Sequence, residues 1–213
     1  MNINYKAVRT KRKSVAIQVT SLNEVIVRAP KSLPMAEIHK FVERKRSWIS
    51  KKIALNGQNI FEREQVLSYK KILICGKLID LEFGKENKIF QNKLVLKNKN
   101  QIRNALTQFL SPLFLAEYEK ICALCNLSAS TVSFKSYKAR WGCCDAKNNI
   151  VFNYKLLMLP VSSWHYIIIH ELCHTVHYNH SKNFWNLVSR FCKNYKKERQ
   201  VLKQFAFIAN FYN

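Results

Sequence analysis

The sequence predicts an α+β fold for this 213-residue chain: a β-rich, basic N-terminal part followed by a mainly helical core. Two changes of pattern and one composition figure support this. Before residue 100 apolar residues alternate with period two in several short runs, and from Gln101 they recur at helical spacing. Hydrophobic residues make up 48% of the chain, enough for a filled core and too many for disorder. Only four Gly and four Pro argue against a flexible linker. Residues 1–100 and 101–213 are therefore expected to pack as one continuous unit.

Taken in order, Val15, Ile17 and Val19 alternate with Ala16 and Gln18. After a turn at Ser21–Asn23, Val25 and Val27 do the same, which predicts a hairpin ending at Ala29-Pro30. Ser32 and Pro34 then open a helix with Ile38, Phe41, Val42, Trp48 and Ile49 near helical spacing. The apolar pattern breaks at Asn56–Asn59 and again at Lys97–Asn100. Strands are predicted at 66–74, 77–83 and 88–96, and a helix from Gln101 to about Cys125, with a bend at Ser111-Pro112. Short strands follow at 130–136 and 150–153. From Ser162 the chain reads as three helical pieces, broken near Asn179 and Lys193-Asn194.

The formal charge is +23, and residues 1–52 hold 13 Lys or Arg against three Asp or Glu. A field of that sign attracts polyanions such as nucleic acid, nucleotides or acidic protein. Biased codon usage produces the same composition with no partner, so charge alone assigns none. No run of 18 uncharged apolar residues occurs, so no membrane insertion is expected. The first six residues lack the apolar stretch of a signal peptide. Seven cysteines at irregular spacing do not suit a disulfide framework, and a cytoplasmic location is expected.

Five of the six histidines fall between 165 and 180. Among them stands His170-Glu171-Leu172-Cys173-His174, the H-E-x-x-H pattern, followed by His180. On a helix, positions i and i+4 share a face, so His170 and His174 can offer two imidazoles to one ion. Glu171 lies beside the first ligand, placed to act on water as a general base. Catalytic zinc takes three protein ligands and keeps a position open. His177 lies about 10 Å along the axis from His170 if the helix continues, too far for a shared ion. His180 is the preferred third ligand, provided the helix stops and turns back, for which Asn179 is a suitable left-handed cap. Arg140, Tyr178 and His177 are candidate donors to a developing oxyanion. Trp141 and Asn153 are candidate substrate-side residues that more simply shape the neighbouring strand and loop, and packing would explain both as well. Cys122 and Cys125 read as core thiols. Cys143-Cys144 could bind a metal or oxidise but are more simply inert, and Cys173 is close enough to the histidine face to be a stray ligand.

The run from His170 to His180-Ser181, then Phe184-Trp185, resembles the YgjP-like metallopeptidase domain family, a bacterial relative of the SprT and WLM zincins. Arg140-Trp141-Gly142-x-Cys144, Asn153 with Leu156, Val27-Arg28-Ala29-Pro30 and Trp48-Ile49 resemble it as well, so the likeness runs over nearly the whole chain. It implies a zincin-like core, one zinc ion per chain on His170, His174 and His180, and Glu171 as the base. Cys143 stands where the family usually has Ser, Cys173 where Ala is usual, and Lys193-Asn194 lacks a common Pro. The His180 spacing equals that of metzincins, but no Met follows Met158, so their Met-turn is absent. The expected activity is a zinc-dependent peptidase acting on peptide or protein. The alternatives are a nucleotide phosphoanhydride hydrolase (pyrophosphatase) and a DNA-associated protease that uses the basic surface.

Overall fold

The computed structural model describes residues 3–20 and 24–211, with side chains for all of these except 55–61, 210 and 211. The chain forms an α+β protein of two compact units, Met1–Gln65 and Val66–Asn213.

In the first unit β1 (Lys6–Thr10), β2 (Ala16–Val19) and β3 (Val25–Pro30) form a sheet in the order β1-β3-β2. The expected hairpin is present, pairing Ala16 with Arg28 and Val19 with Val25. Its turn at Ser21–Asn23 lies outside the described residues. β1 joins β3 in parallel; Lys6-Ala-Val-Arg-Thr shows no alternation, so the sequence did not reveal it. Val25, Val27 and Ala29 point to one face of β3 and pack with Ile38, Val42 and Ile49. Those three lie on α1 (Met35–Arg44) and α2 (Arg46–Leu67), two helices where one was expected, separated at Lys45. Trp48, expected on the buried face, is 44% exposed. α2 runs through Asn56–Asn59, because helical backbone bonds do not require apolar side chains there.

The second unit begins with β4 (Lys71–Ile74), β5 (Lys77–Phe83), β6 (Lys88–Phe90) and β7 (Lys93–Leu96), in the order β4-β5-β7-β6. The single strand expected at 88–96 is thus two strands paired antiparallel. Ile72, Leu81 and Leu94 share a core with Leu106 and Phe114 of α3 (Ile102–Cys125). Position 100 therefore falls inside this unit, not at a boundary. α3 contains Pro112 and ends on left-handed Asn126, whose N–H bonds the Cys122 carbonyl.

β8 (Thr131–Lys135), β9 (Gly142–Cys144) and β10 (Asn149–Asn153) make the third sheet, in the order β8-β10-β9. β9 is an edge strand, paired antiparallel with β10. A 3-10 turn, Tyr154–Met158, leads into α4 (Val161–His174), followed by α5 (Lys182–Phe191), α6 (Tyr195–Gln204) and α7 (Ala206–Phe211). The last stretch is thus four helices where three pieces were expected, with an extra break at Phe205.

Aromatic packing fixes α4. The Phe114 ring lies 4.9 Å from Phe152, 5.3 Å from Phe134 and 5.4 Å from Trp164, centroid to centroid, joining α3, β8, β10 and α4. Each such contact contributes about 0.5–1.5 kcal/mol beyond area burial. Trp164 Nε1 donates to the Leu156 carbonyl at 2.6 Å. At the β4–β5 turn, the N–H groups of Cys75 and Gly76 donate to the carbonyls of Leu157 and Met158. Gly76 has φ +79, and a Cβ there would sit 2.7 Å from Pro160 Cγ, so only glycine fits. Lys155 is fully buried, and its Nζ donates to the Ala209 carbonyl at 2.7 Å. Burial pushes its pKa down to about 8. No helix among the described residues is long and apolar enough to cross a membrane.

Candidate metal centre

α4 is apolar through Tyr166–Ile169 and buried there, so its motif residues sit where the helix reaches the surface. The helix stops at His174, and Thr175 caps it, its N–H and hydroxyl both bonding the Leu172 carbonyl. The stop thus comes before Asn179, which does not adopt the expected left-handed conformation. Asn179 instead accepts the Ser181 N–H through its side chain at 3.2 Å. His177 follows that last turn, its N–H bonding the Cys173 carbonyl at 3.0 Å, and its own carbonyl accepts from His174 Nδ1 at 2.9 Å. A carbonyl on the far nitrogen fixes ring orientation and leaves Nε2 free for a ligand. His180 is followed by Ser181, whose hydroxyl accepts the Phe184 N–H and starts α5.

These turns bring three imidazoles together. His180 Nε2 lies 3.1 Å from His170 Nε2 and 3.2 Å from His174 Nε2, and the three ligand atoms all fall within 4.8 Å of one another. One ring nitrogen has a single in-plane site, so His180 Nε2 cannot hydrogen-bond both neighbours well. A tetrahedral ion with metal–nitrogen bonds of about 2.0–2.1 Å has nitrogen–nitrogen edges of about 3.3–3.4 Å, close to the spacing found. The donor set therefore fits one divalent cation. Burial lowers the His170 pKa to about 3 and also lowers that of His174, with the neighbouring imidazoles acting in the same direction. Both stay neutral, the form that ligates.

Phe184, fully buried, is the post on which the triad stands. Its ring lies 4.9 Å from His170, 4.4 Å from His174 and 4.9 Å from His180. Trp185 stacks on His180 at 5.6 Å, and Tyr195 stacks on Trp185 at 5.3 Å. His170 Nδ1 is buried without a hydrogen-bond partner among the described residues, and its ring packs against Tyr166, Phe184 and Trp185.

Glu171, 4% exposed, has its carboxyl against Gly142 of β9. The position a Cβ would take on Gly142 lies 2.6 Å from Glu171 Oε1. The carboxyl occupies the space that glycine leaves open, and this joins the Trp-Gly segment to the H-E-x-x-H helix. Burial pushes the Glu171 pKa up to about 8, with Arg140 opposing.

The cleft has a volume of about 480 Å³ and is lined by the triad, Glu171, Arg140, Trp141 and Tyr178, among others. Tyr178 is 65% exposed. Asn153 is not part of that wall. It is fully buried, its Nδ2 donates to the carbonyls of Tyr137 and Arg140 at 2.9 Å, and its Oδ1 accepts the Lys155 N–H. Of the two expectations for Asn153, these bonds match the one in which it shapes the neighbouring loop, which carries Arg140 and Trp141. Cys173 is buried outside the cluster, and no cysteine joins a metal-binding group among the described residues. His165 pairs with Glu117 at 2.8 Å.

Sequence reasoning missed Arg199 and Gly142. Arg199, on α6, lines the cleft with its guanidinium carbon 4.9 Å from the Trp185 ring centre. Glu198 docks that helix, accepting from Ser162 and Ser163 at the start of α4. Nothing in the spacing of a basic C-terminal segment marks one arginine among its neighbours. The Trp-Gly-x-Cys segment was a usable signal for Gly142, but the reason for the glycine is a contact distant in sequence.

No match is found among curated protein sequences. Among solved structures, the crystal structure of the metallopeptidase zymogen abylysin of Pyrococcus abyssi is similar over 42% of this chain and 90% of its own length, with 21% identity and a TM-score of 0.38. The YgjP-like metallopeptidase domain family matches residues 13–205, a span holding every residue of the cleft named above. The chain belongs to the YgjP-like metallopeptidase domain family, and so to the metal-dependent hydrolases.

Proposed function

We propose that this protein is a zinc-dependent peptidase that holds one ion on His170, His174 and His180 and uses Glu171 as its general base. The convergence of the three Nε2 atoms in a cleft that the buried Glu171 also lines carries the reading. When bound, zinc supplies Lewis acidity, making water acidic near pH 7 and polarising the scissile carbonyl. Glu171 takes the proton of the attacking water and returns it to the leaving amine. Tyr178, on the cleft wall, donates to the developing oxyanion. Trp141 contacts substrate at the start of β9. The free edge of β9, next to Gly142 and Glu171, supports an extended peptide as substrate, since such an edge can accept another strand. Seven free thiols are in keeping with a reducing, cytoplasmic setting.

Metal analysis of the purified protein should give one zinc per chain, and Glu171→Gln should keep the zinc while losing turnover of peptide substrates by about 10²–10⁴-fold. Full turnover by that variant would remove Glu171 from the mechanism. Loss of zinc on replacing His177, with retention on replacing His180, would overturn the ligand set.

A further inference from the structure

We propose that Arg140 and Arg199 form an oxyanion-binding pair on the metal cleft, so that preferred substrates carry a carboxylate or phosphate beside the scissile bond. The inference rests on the cleft being the active site, as proposed above. Both arginines line the same cleft as the histidine triad. They come from different elements, Arg140 from the loop before β9 and Arg199 from α6.

Each guanidinium is placed over an aromatic face, Arg140 at 5.5 Å from the Tyr137 ring centre and Arg199 at 4.9 Å from Trp185. Such a contact limits the swing of a long side chain while leaving its N–H donors available for bidentate bonds. Neither side chain makes an ion pair or a hydrogen bond among the described residues. Their supports are anchored as well. The Arg140 carbonyl accepts from buried Asn153, and Glu198, next to Arg199, is tied to the first turn of α4.

The charge inventory of the cleft points the same way. Its ligands are three imidazoles, and its one carboxyl, Glu171, is buried against Gly142. A divalent cation on the triad adds positive charge to a wall that already carries two guanidiniums. A substrate oxyanion is the complement this arrangement lacks. Among the described residues, no lysine lines this cleft.

Three arms test the pair on zinc-loaded full-length protein, comparing wild type, Arg199→Gln and Arg199→Lys, with metal content and thermal melting as controls for folding. The first arm measures kcat/KM on peptides that differ only in Glu against Gln beside the cleaved bond, or in a free against an amidated C-terminus. Wild type should favour the charged member by about 10- to 100-fold, and Arg199→Gln should bring that ratio near one, as expected for one charge-assisted contact. The second arm measures phosphate release from nucleoside triphosphates. The third measures calorimetric binding of inorganic phosphate. If no peptide is cut, the peptidase reading fails, and the pair stands only if phosphate release or phosphate binding falls with Arg199→Gln. Equal rates on charged and neutral peptides together with phosphate binding unchanged in Arg199→Gln would overturn the pair and leave the peptidase reading intact. Equal loss on charged and neutral peptides with lowered zinc content would also overturn it, reducing Arg199 to a support for Trp185.

Discussion

An alanine at position 142 would bring its Cβ to 2.6 Å from Glu171 Oε1 and to 2.9 Å from Cδ and Cγ. Ordinary carbon–carbon contact is about 3.5–4.0 Å, so the carboxyl must retreat by about 0.6–1 Å. Gly142 does not occupy the left-handed region, and alanine can adopt its backbone without strain. The atoms it meets belong to one side chain, not to backbone, which keeps the folding cost within the usual overpacking range of about 1–3 kcal/mol. The cost to chemistry is larger, because misplacing a catalytic group by about 1 Å can cost about 10²-fold in rate. Gly142→Ala should therefore fold, bind zinc in the wild-type ratio and lose about 10²-fold in kcat on a peptide substrate. Steady-state kinetics, metal analysis and a denaturant melt on the same preparation check this. Wild-type kcat in a folded, zinc-loaded Gly142→Ala protein would refute the claim that the glycine exists to admit the carboxyl.

Trp185→Leu removes the ring stacked on His180, and should weaken zinc binding by about 10- to 100-fold in a chelator competition while thiol accessibility and helix content hold; unchanged affinity would discard the stacking role. Lys155 titrates at about 8 in the folded protein against 10.5 for an ordinary lysine, so between these values the unfolded chain holds a proton that the folded chain has lost. Wild-type stability should therefore rise with pH across that window relative to Lys155→Met, by on the order of 3 kcal/mol at most, measured by urea melts at pH 7.5 and 10. Phe184→Ala, which deletes the post under all three imidazoles, should cost about 3–5 kcal/mol and lower zinc affinity together with it, as thermal melting and metal titration would show.

The histidine pair was legible because an i, i+4 spacing is a local rule of the helix. His180 was also reached from sequence, although by an argument whose details differ from the structure. The helix ends at His174, held by Thr175, and Asn179 organises the turn through its side chain. The hairpin of β2 and β3 was legible from alternation, while β1 and β9 were not. Their short runs gain strand character only from partners far along the chain, β1 from β3 and β9 from β10. Asn153 was expected at the substrate or shaping the neighbouring loop, and its bonds to backbone groups of that loop are of the second kind. The expected boundary at residue 100 followed the change from period two to helical spacing. Core packing ignores that change and unites residues 66–100 with the helices after them.

The sequence by itself put His170 and His174 on one helix face with Glu171 next to His170 in the chain, since helical periodicity sets both. Only the tertiary structure decided what faces them. Gly142, Phe184, Trp185 and Arg199 approach the triad from β9, α5 and α6, and their meeting depends on packing between elements whose order along the chain carries no record of their distance in space.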